Sequence, residues 1–68
     1  MSVYKIIEIV GTSTKSWEDA AKQAVETATK TLEDIRVAEV VKQDVTVEKG
    51  KISNYRVRLN ISFKYHSE

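Results

Sequence analysis

The amino-acid sequence predicts an α+β fold: a single small β-α-β-β domain over residues 1–68, with a three-stranded antiparallel sheet of order 1-3-2 packed on one helix. Three observations lead there. Residues 52–65 alternate almost without error, Tyr55, Val57, Leu59, Ile61, Phe63 and Tyr65 on one parity and Asn54, Arg56, Arg58, Asn60, Ser62 and Lys64 on the other. Strand side chains point to opposite faces at period two, so this run is a strand with one buried and one wet face. Trp17, Ala20, Ala21, Ala24, Val25, Ala28 and Leu32 recur at spacings of three and four, which marks one face of a helix. Residues 3–10 are β-branched and apolar, with charge only at Lys5 and Glu8.

In the first strand, Ile6, Ile7, Ile9 and Val10 put apolar side chains on both parities, which predicts cover on both faces. Gly11-Thr12-Ser13-Thr14 reads as a polar turn. Ser16 is the expected N-cap, with Glu18 and Asp19 in the first turn, close to a capping box and suited to the positive end of the helix dipole. Alanine dominates the apolar face, so the helix axis should lie close to the sheet. Asp19, Lys22, Glu26, Lys30 and Glu33 form the solvated side, and the helix is predicted to end near Glu33 or Asp34. The second strand covers residues 35–47, and its alternation slips at Val40-Val41, which predicts a bulge or bend. Glu48-Lys49-Gly50-Lys51 forms a hairpin turn with Gly50 at positive φ. A right-handed crossover makes the first two strands parallel and leaves room for the third between them.

The third strand is long for so short a chain. At roughly 3.4 Å per residue it reaches about 47 Å, whereas the usual strand has about five or six residues. A 68-residue chain buries only about 60% of the surface its unfolded form exposes. Small folds compensate with disulfides, a metal or association. There is no cysteine, so disulfides, thiolate zinc sites and cysteine nucleophiles are out, and self-association is the open route. Eleven basic and ten acidic residues leave a net charge of +1, too balanced for a dedicated nucleic-acid binder. No signal-peptide pattern opens the chain, and no apolar run approaches the roughly 20 residues of a membrane span. The expectation is a soluble, cytoplasmic homo-oligomer without nucleic-acid or membrane partners.

Catalysis has little to work with. The single histidine, His66, lies two residues from the end, so a serine nucleophile lacks a base. Gly11 and Gly50 cannot build a phosphate-cradling loop, and no EF-hand spacing of acids exists. Binding is the expectation instead. Trp17 could stack on a ligand, although its spacing with Ala20, Ala21 and Ala24 favours the core or an interface. Arg56 and Arg58, with Lys64 beyond, put cations on the polar parity of the third strand, either as a solvated face or as the lining of an internal cavity. Arg56 could also pair with Glu39 across the sheet. Glu8, Glu39, Asp44 and Glu48 are oxygen donors suited to a hard cation, and symmetry would turn one carboxylate per subunit into a ring.

Several segments carry a family resemblance. VYKIIEIVGTS (residues 3–13), SWEDAA (16–21), AEVV (38–41) and YRVRLNISFKY (55–65), in a β-α-β-β order at this length, resemble the dodecins. The resemblance implies a hollow homododecamer with 23 symmetry, built from trimers, which supplies neighbours for the long strands. Flavin-binding dodecins hold paired isoalloxazine rings between tryptophans of the second strand, with a glutamine of the third at the ring edge. The resemblance carries those positions to Val37 and Arg56. Valine has no aromatic plane and arginine no acceptor, so flavin in the usual manner is disfavoured. DIRVAEV (34–40), Gln43-Asp44 and the opening MSVYK look closer to the calcium dodecins, with Glu8 and Asp44 as candidate metal ligands. The alternatives are storage of riboflavin, FMN or coenzyme A, the anion held by Arg56, Arg58 and Lys5, or a structural shell without a ligand.

Overall fold

The computed structural model describes residues 2–65. Four elements follow one another: β1 (Tyr4–Ser13), α1 (Trp17–Ala28), β2 (Ile35–Glu48) and β3 (Lys51–Lys64). The strands form one sheet in the order β1-β3-β2, antiparallel at both pairings, with α1 on one face. The described chain is 51 Å in its longest dimension and only 19 and 15 Å in the others. That length comes from the two 14-residue strands β2 and β3.

Beneath the helix the alternation of β3 sets the core. Val57, Leu59 and Ile61 are 1%, 1% and 0% exposed and pack with Ala20 and Ala24. Ile7, Ile9, Trp17, Val25, Leu32 and Ile35 close the margin of this cluster. Burying an aliphatic side chain of this size is worth about 1.5–3 kcal/mol, so three on one strand anchor the helix firmly.

β1 runs three residues past its expected end. Gly11 to Ser13 do not form a turn; they pair with Val57, Arg56 and Tyr55. Gly11 is there for closeness. A Cβ at this position would collide with the Ala20 carbonyl oxygen and stand 2.8 Å from the Ala24 Cβ. The helix therefore rests on the bare strand backbone through its alanines. Cover on both faces of β1 does not arise within one chain, because Ile6 and Val10 remain exposed.

Ser16 caps α1 as expected, its Oγ accepting from the Asp19 N–H at 3.0 Å. The Asp19 carboxylate turns elsewhere, accepting from Ser13 Oγ and Gln23 Nε2, both at 2.6 Å. This ties the end of β1 to the first turn of the helix. The helix stops at Ala28, short of Glu33 and Asp34. Thr27, Thr29 and Thr31 explain the early stop, since β-branched residues lose rotamer freedom in a helix. The Thr29 hydroxyl donates to the Glu26 carbonyl at 2.7 Å, and the Lys30 and Thr31 N–H groups reach back only three residues. Asp34 then takes φ 59° and turns the chain into β2.

β2 slips register at Ile35/Val37, Val40/Lys42 and Thr46/Val47; the middle slip is the bulge expected at Val40-Val41. At the hairpin both Lys49 and Gly50 have positive φ, 52° and 77°, as a tight two-residue turn between right-twisted strands requires.

Candidate functional site

The face of the sheet opposite the helix carries the charge. Side chains paired across neighbouring strands share a face, so the register gives its rows directly. Ile6, Ser62 and Val37 form one row, followed along β3 by Glu8–Asn60–Glu39, Val10–Arg58–Lys42 and Thr12–Arg56–Asp44. An apolar row and three rows bearing charge thus lie open to the surroundings. Val37 is 55% exposed, Ile6 61% and Val10 51%.

The last of these rows is the most constrained. Arg56 Nε donates to Asp44 Oδ1 at 2.7 Å and its Nη2 donates to Oδ2 at 2.9 Å, a bidentate pair that uses both carboxylate oxygens. The guanidinium holds the Asp44 carboxyl below its ordinary pKa, chiefly through the hydrogen bonds, and Asp44 in turn raises that of Arg56. Both side chains are about two-fifths exposed, 41% and 40%. From the other face Trp17 Nε1 donates to the Asp44 carbonyl at 3.0 Å. Trp17 is itself braced edge-on against Tyr55, ring centroids 5.2 Å apart. Asp44 is therefore gripped twice, by a cation through its side chain and by the helix through its backbone.

Arg56 does not pair with Glu39, which lies two rows away beside Asn60. Glu8 and Asp44 share the open face but not a locality. They sit on opposite edge strands, in rows four residues apart along β3, about 13 Å at the usual strand rise. Among the described residues no group of three acidic, histidine or cysteine side chains could hold a metal ion. Arg58 stands opposite Lys42, a second cation that sequence reasoning passed over. Lys5 belongs to the other face, in the row of Phe63, with its Nζ 5.9 Å from the Tyr65 ring centroid. The three cations Arg56, Arg58 and Lys5 are not brought together within one chain. His66 lies outside the described residues.

Between α1 and the edge of β1 runs an open groove of about 480 Å³, lined mainly by Ile7, Ile9, Val10, Ala24, Ala28 and Leu32. No helix among the described residues is long and apolar enough to cross a membrane.

The dodecin family model matches residues 3–66. The chain belongs to the dodecin family. The calcium dodecin of Mycobacterium tuberculosis is 52% identical over 64 residues, 94% of this chain and 90% of that protein. Its crystal structure, of a calcium-chelating antigen with a calcium-binding site, superposes with a TM-score of 0.86 at 51% identity and covers 98% of this chain and 96% of that one. The dodecin of Streptomyces coelicolor superposes with a TM-score of 0.93 at 28% identity, covering 98% of this chain and 96% of that one. The fold of this dodecin, a β-α-β-β chain with strand order 1-3-2, is thus the family fold.

Two features of this dodecin's open face escaped the sequence. One is the clamp of Trp17 on Asp44, a contact across 27 residues with no local signal. The other is the carboxylate row, Glu8 and Glu39 flanking Asn60, which needs the register of two pairings to be seen.

Proposed function

We propose that this dodecin is a non-enzymatic binding protein, assembling as a hollow dodecamer that takes up calcium in preference to flavin. The observation that carries the preference is the pairing of Arg56 with Asp44. At the position where flavin-binding relatives resemble one another in a glutamine, this chain has a guanidinium whose fork is already engaged. Val37, at the position of their stacking tryptophan, offers no aromatic plane. Similarity to a calcium dodecin supports the cation.

The donor chemistry fits calcium in kind: hard carboxylate oxygens at Glu8, Glu39 and Asp44 on one open face. It does not fit in number. Calcium takes about six to eight oxygens, and Glu8 and Asp44 do not meet within one chain. A complete shell draws on more than one copy, with water filling the remainder. Exposed Ile6, Val10 and Val37, and a long β2 that the helix leaves largely uncovered, support the association this requires. In such a site the protein supplies fixed negative charge, and calcium when bound would cross-link copies through it.

Calorimetry of chelator-treated protein with calcium chloride tests the reading. Binding heat and a raised melting temperature are the expected result, and the absence of both would contradict the reading. Riboflavin and FMN titrations followed by flavin fluorescence complete the test, with stoichiometric quenching at micromolar concentration counting against the preference. Arg58 beside Lys42 favours one alternative, an anionic cofactor such as coenzyme A, which would show as competition between that cofactor and inorganic phosphate.

A further inference from the structure

We infer that Arg58 and Lys42 form an anion subsite on the open face, built for a phosphate group. This does not rest on the calcium reading, and it gives the anionic alternative a location. The register sets the two cations directly opposite each other on β3 and β2, in the row that Val10 completes on β1. Like charges directly opposed across a strand pair are destabilising. The bulge puts them there: without the slip between Val40 and Lys42, Val41 would stand opposite Arg58. Nothing in the chain neutralises the pair. Asp44, in the next row, gives both carboxylate oxygens to Arg56. Its carboxyl is held below the ordinary pKa first by the hydrogen bonds from Arg56, and further by the charges of Arg56, Arg58 and Lys42. Three cations thus crowd one carboxylate, a local excess of two positive charges. In the row on the other side Glu8 and Glu39 flank Asn60, and among the described residues neither forms an ion pair with Arg58 or Lys42.

The ligand class follows from the donors. An arginine fork takes two oxygens of an oxyanion side by side, and a lysine ammonium is a point charge that can take a third. A planar carboxylate would use both its oxygens on the fork and leave Lys42 unmet. A phosphate has oxygens for both, and as a monoester it carries about 1.5 to 2 negative charges at neutral pH, which matches the local excess. Arg56 Nη1 donates to nothing among the described residues, so a further donor belongs to the adjoining row. Val10, 51% exposed at the end of the Arg58 row, offers an apolar neighbour to the organic part of a phosphate ester.

The test is calorimetry of the chelator-treated full chain at constant ionic strength, titrated with inorganic phosphate and, separately, with glycerol 3-phosphate. Saturable binding is expected; tighter binding of the ester would assign the subsite to an organic phosphate, and tighter binding of inorganic phosphate to the free ion. Arg58→Gln and Lys42→Gln should each weaken binding about tenfold, the scale of one charge-assisted hydrogen bond. Lys30→Gln removes the same charge from the solvated side of the helix and should change affinity by less than about threefold. Arg58→Lys keeps the charge without the fork and should fall between, and it carries the test should Arg58→Gln fail to fold. Asp44→Asn should tighten phosphate binding by roughly threefold, because it frees Arg56. The calcium reading expects that same variant to weaken calcium binding, so one protein separates the two. No saturable binding by the unaltered protein would overturn the subsite and leave the calcium reading untouched. Equal losses in Arg58→Gln and Lys30→Gln would overturn it as well, by showing that net charge alone attracts the anion. A lower solution mass in Arg58→Gln with unchanged phosphate affinity would give the pair to a contact between copies and overturn the subsite.

Discussion

Under the helix, β3 presents Val57, Leu59 and Ile61, each sealed to 1% exposure or less against alanines of α1. One residue along the same strand, Arg56, Arg58, Asn60 and Ser62 face the other way, on a face where Ile6, Val10 and Val37 of the neighbouring strands are at least half exposed. The same three strands build both faces, and the chain completes only one of them. A single helix of 12 residues cannot cover two 14-residue strands. The core shows what this chain needs in order to fold, and the open face is the part that its own helix leaves uncovered. Packing residues and the residues proposed for binding are therefore separated by parity alone.

Substitutions on the two faces should fail in different ways, and the contrast can be broken from either side. Leu59→Asp should have the largest effect, abolishing folding, because it buries an unpaired charge in the sealed face. The milder Leu59→Ala should cost about 2–5 kcal/mol, read as a fall in denaturant midpoint. A small loss from either would mean that the helix face is not the true core. Gly11→Ala comes next, at about 1–3 kcal/mol, since a methyl would strike the backbone of Ala20, which cannot swing aside as a side chain tip can. Thermal melts would check it, and an unchanged midpoint would show that the helix does not rest on bare strand.

On the open face, Ile6→Ser combined with Val37→Ser should leave far-ultraviolet circular dichroism intact while lowering the solution mass. An unchanged mass would show that this apolar row is not used in association. The smallest effect concerns pH. Hydrogen bonds from Ser13 and Gln23 lower the Asp19 pKa below its ordinary value. The carboxylate therefore adds stability above the unfolded-state pKa, and that stability is lost as pH falls through the lower folded-state value. Asp19→Asn should flatten the loss of stability below about pH 4, near the ordinary aspartate pKa. A mutant and parent with parallel acid melts would remove Asp19 from the account.

Much of the fold was legible because each local signal agreed with the next. Strand alternation, helix spacing, the Ser16 cap and the Gly50 turn all point to one topology, and the structure has it. The misreadings share a cause. Gly11 looks like a breaker to any local rule, and only the helix lying over it shows that a missing side chain was needed. The helix end was overrun because Leu32 keeps the helical spacing and still packs on the core after the backbone has left the helix.

The site was legible as a list but not as an arrangement. Arg56 and Asp44 were both visible, yet their pairing depends on the register slip near Thr46. Continuing the register of Glu48 with Lys51 and Val47 with Ile52 would set Asp44 opposite Tyr55; one extra residue at Ser53 moves it opposite Arg56. Thr46 and Ser53 share a hydroxyl hydrogen bond of 2.6 Å at that slip. No periodicity in the sequence announces it. Likewise charge alone groups Lys5 with Arg56 and Arg58, and parity puts it on the opposite face.

The central claim is that the open face is completed by further copies of the same chain. Sedimentation equilibrium at neutral pH tests it most directly. A single species of twelve times the 7.7 kDa of one chain is the expected result. A stable, folded species with the mass of one chain would contradict it.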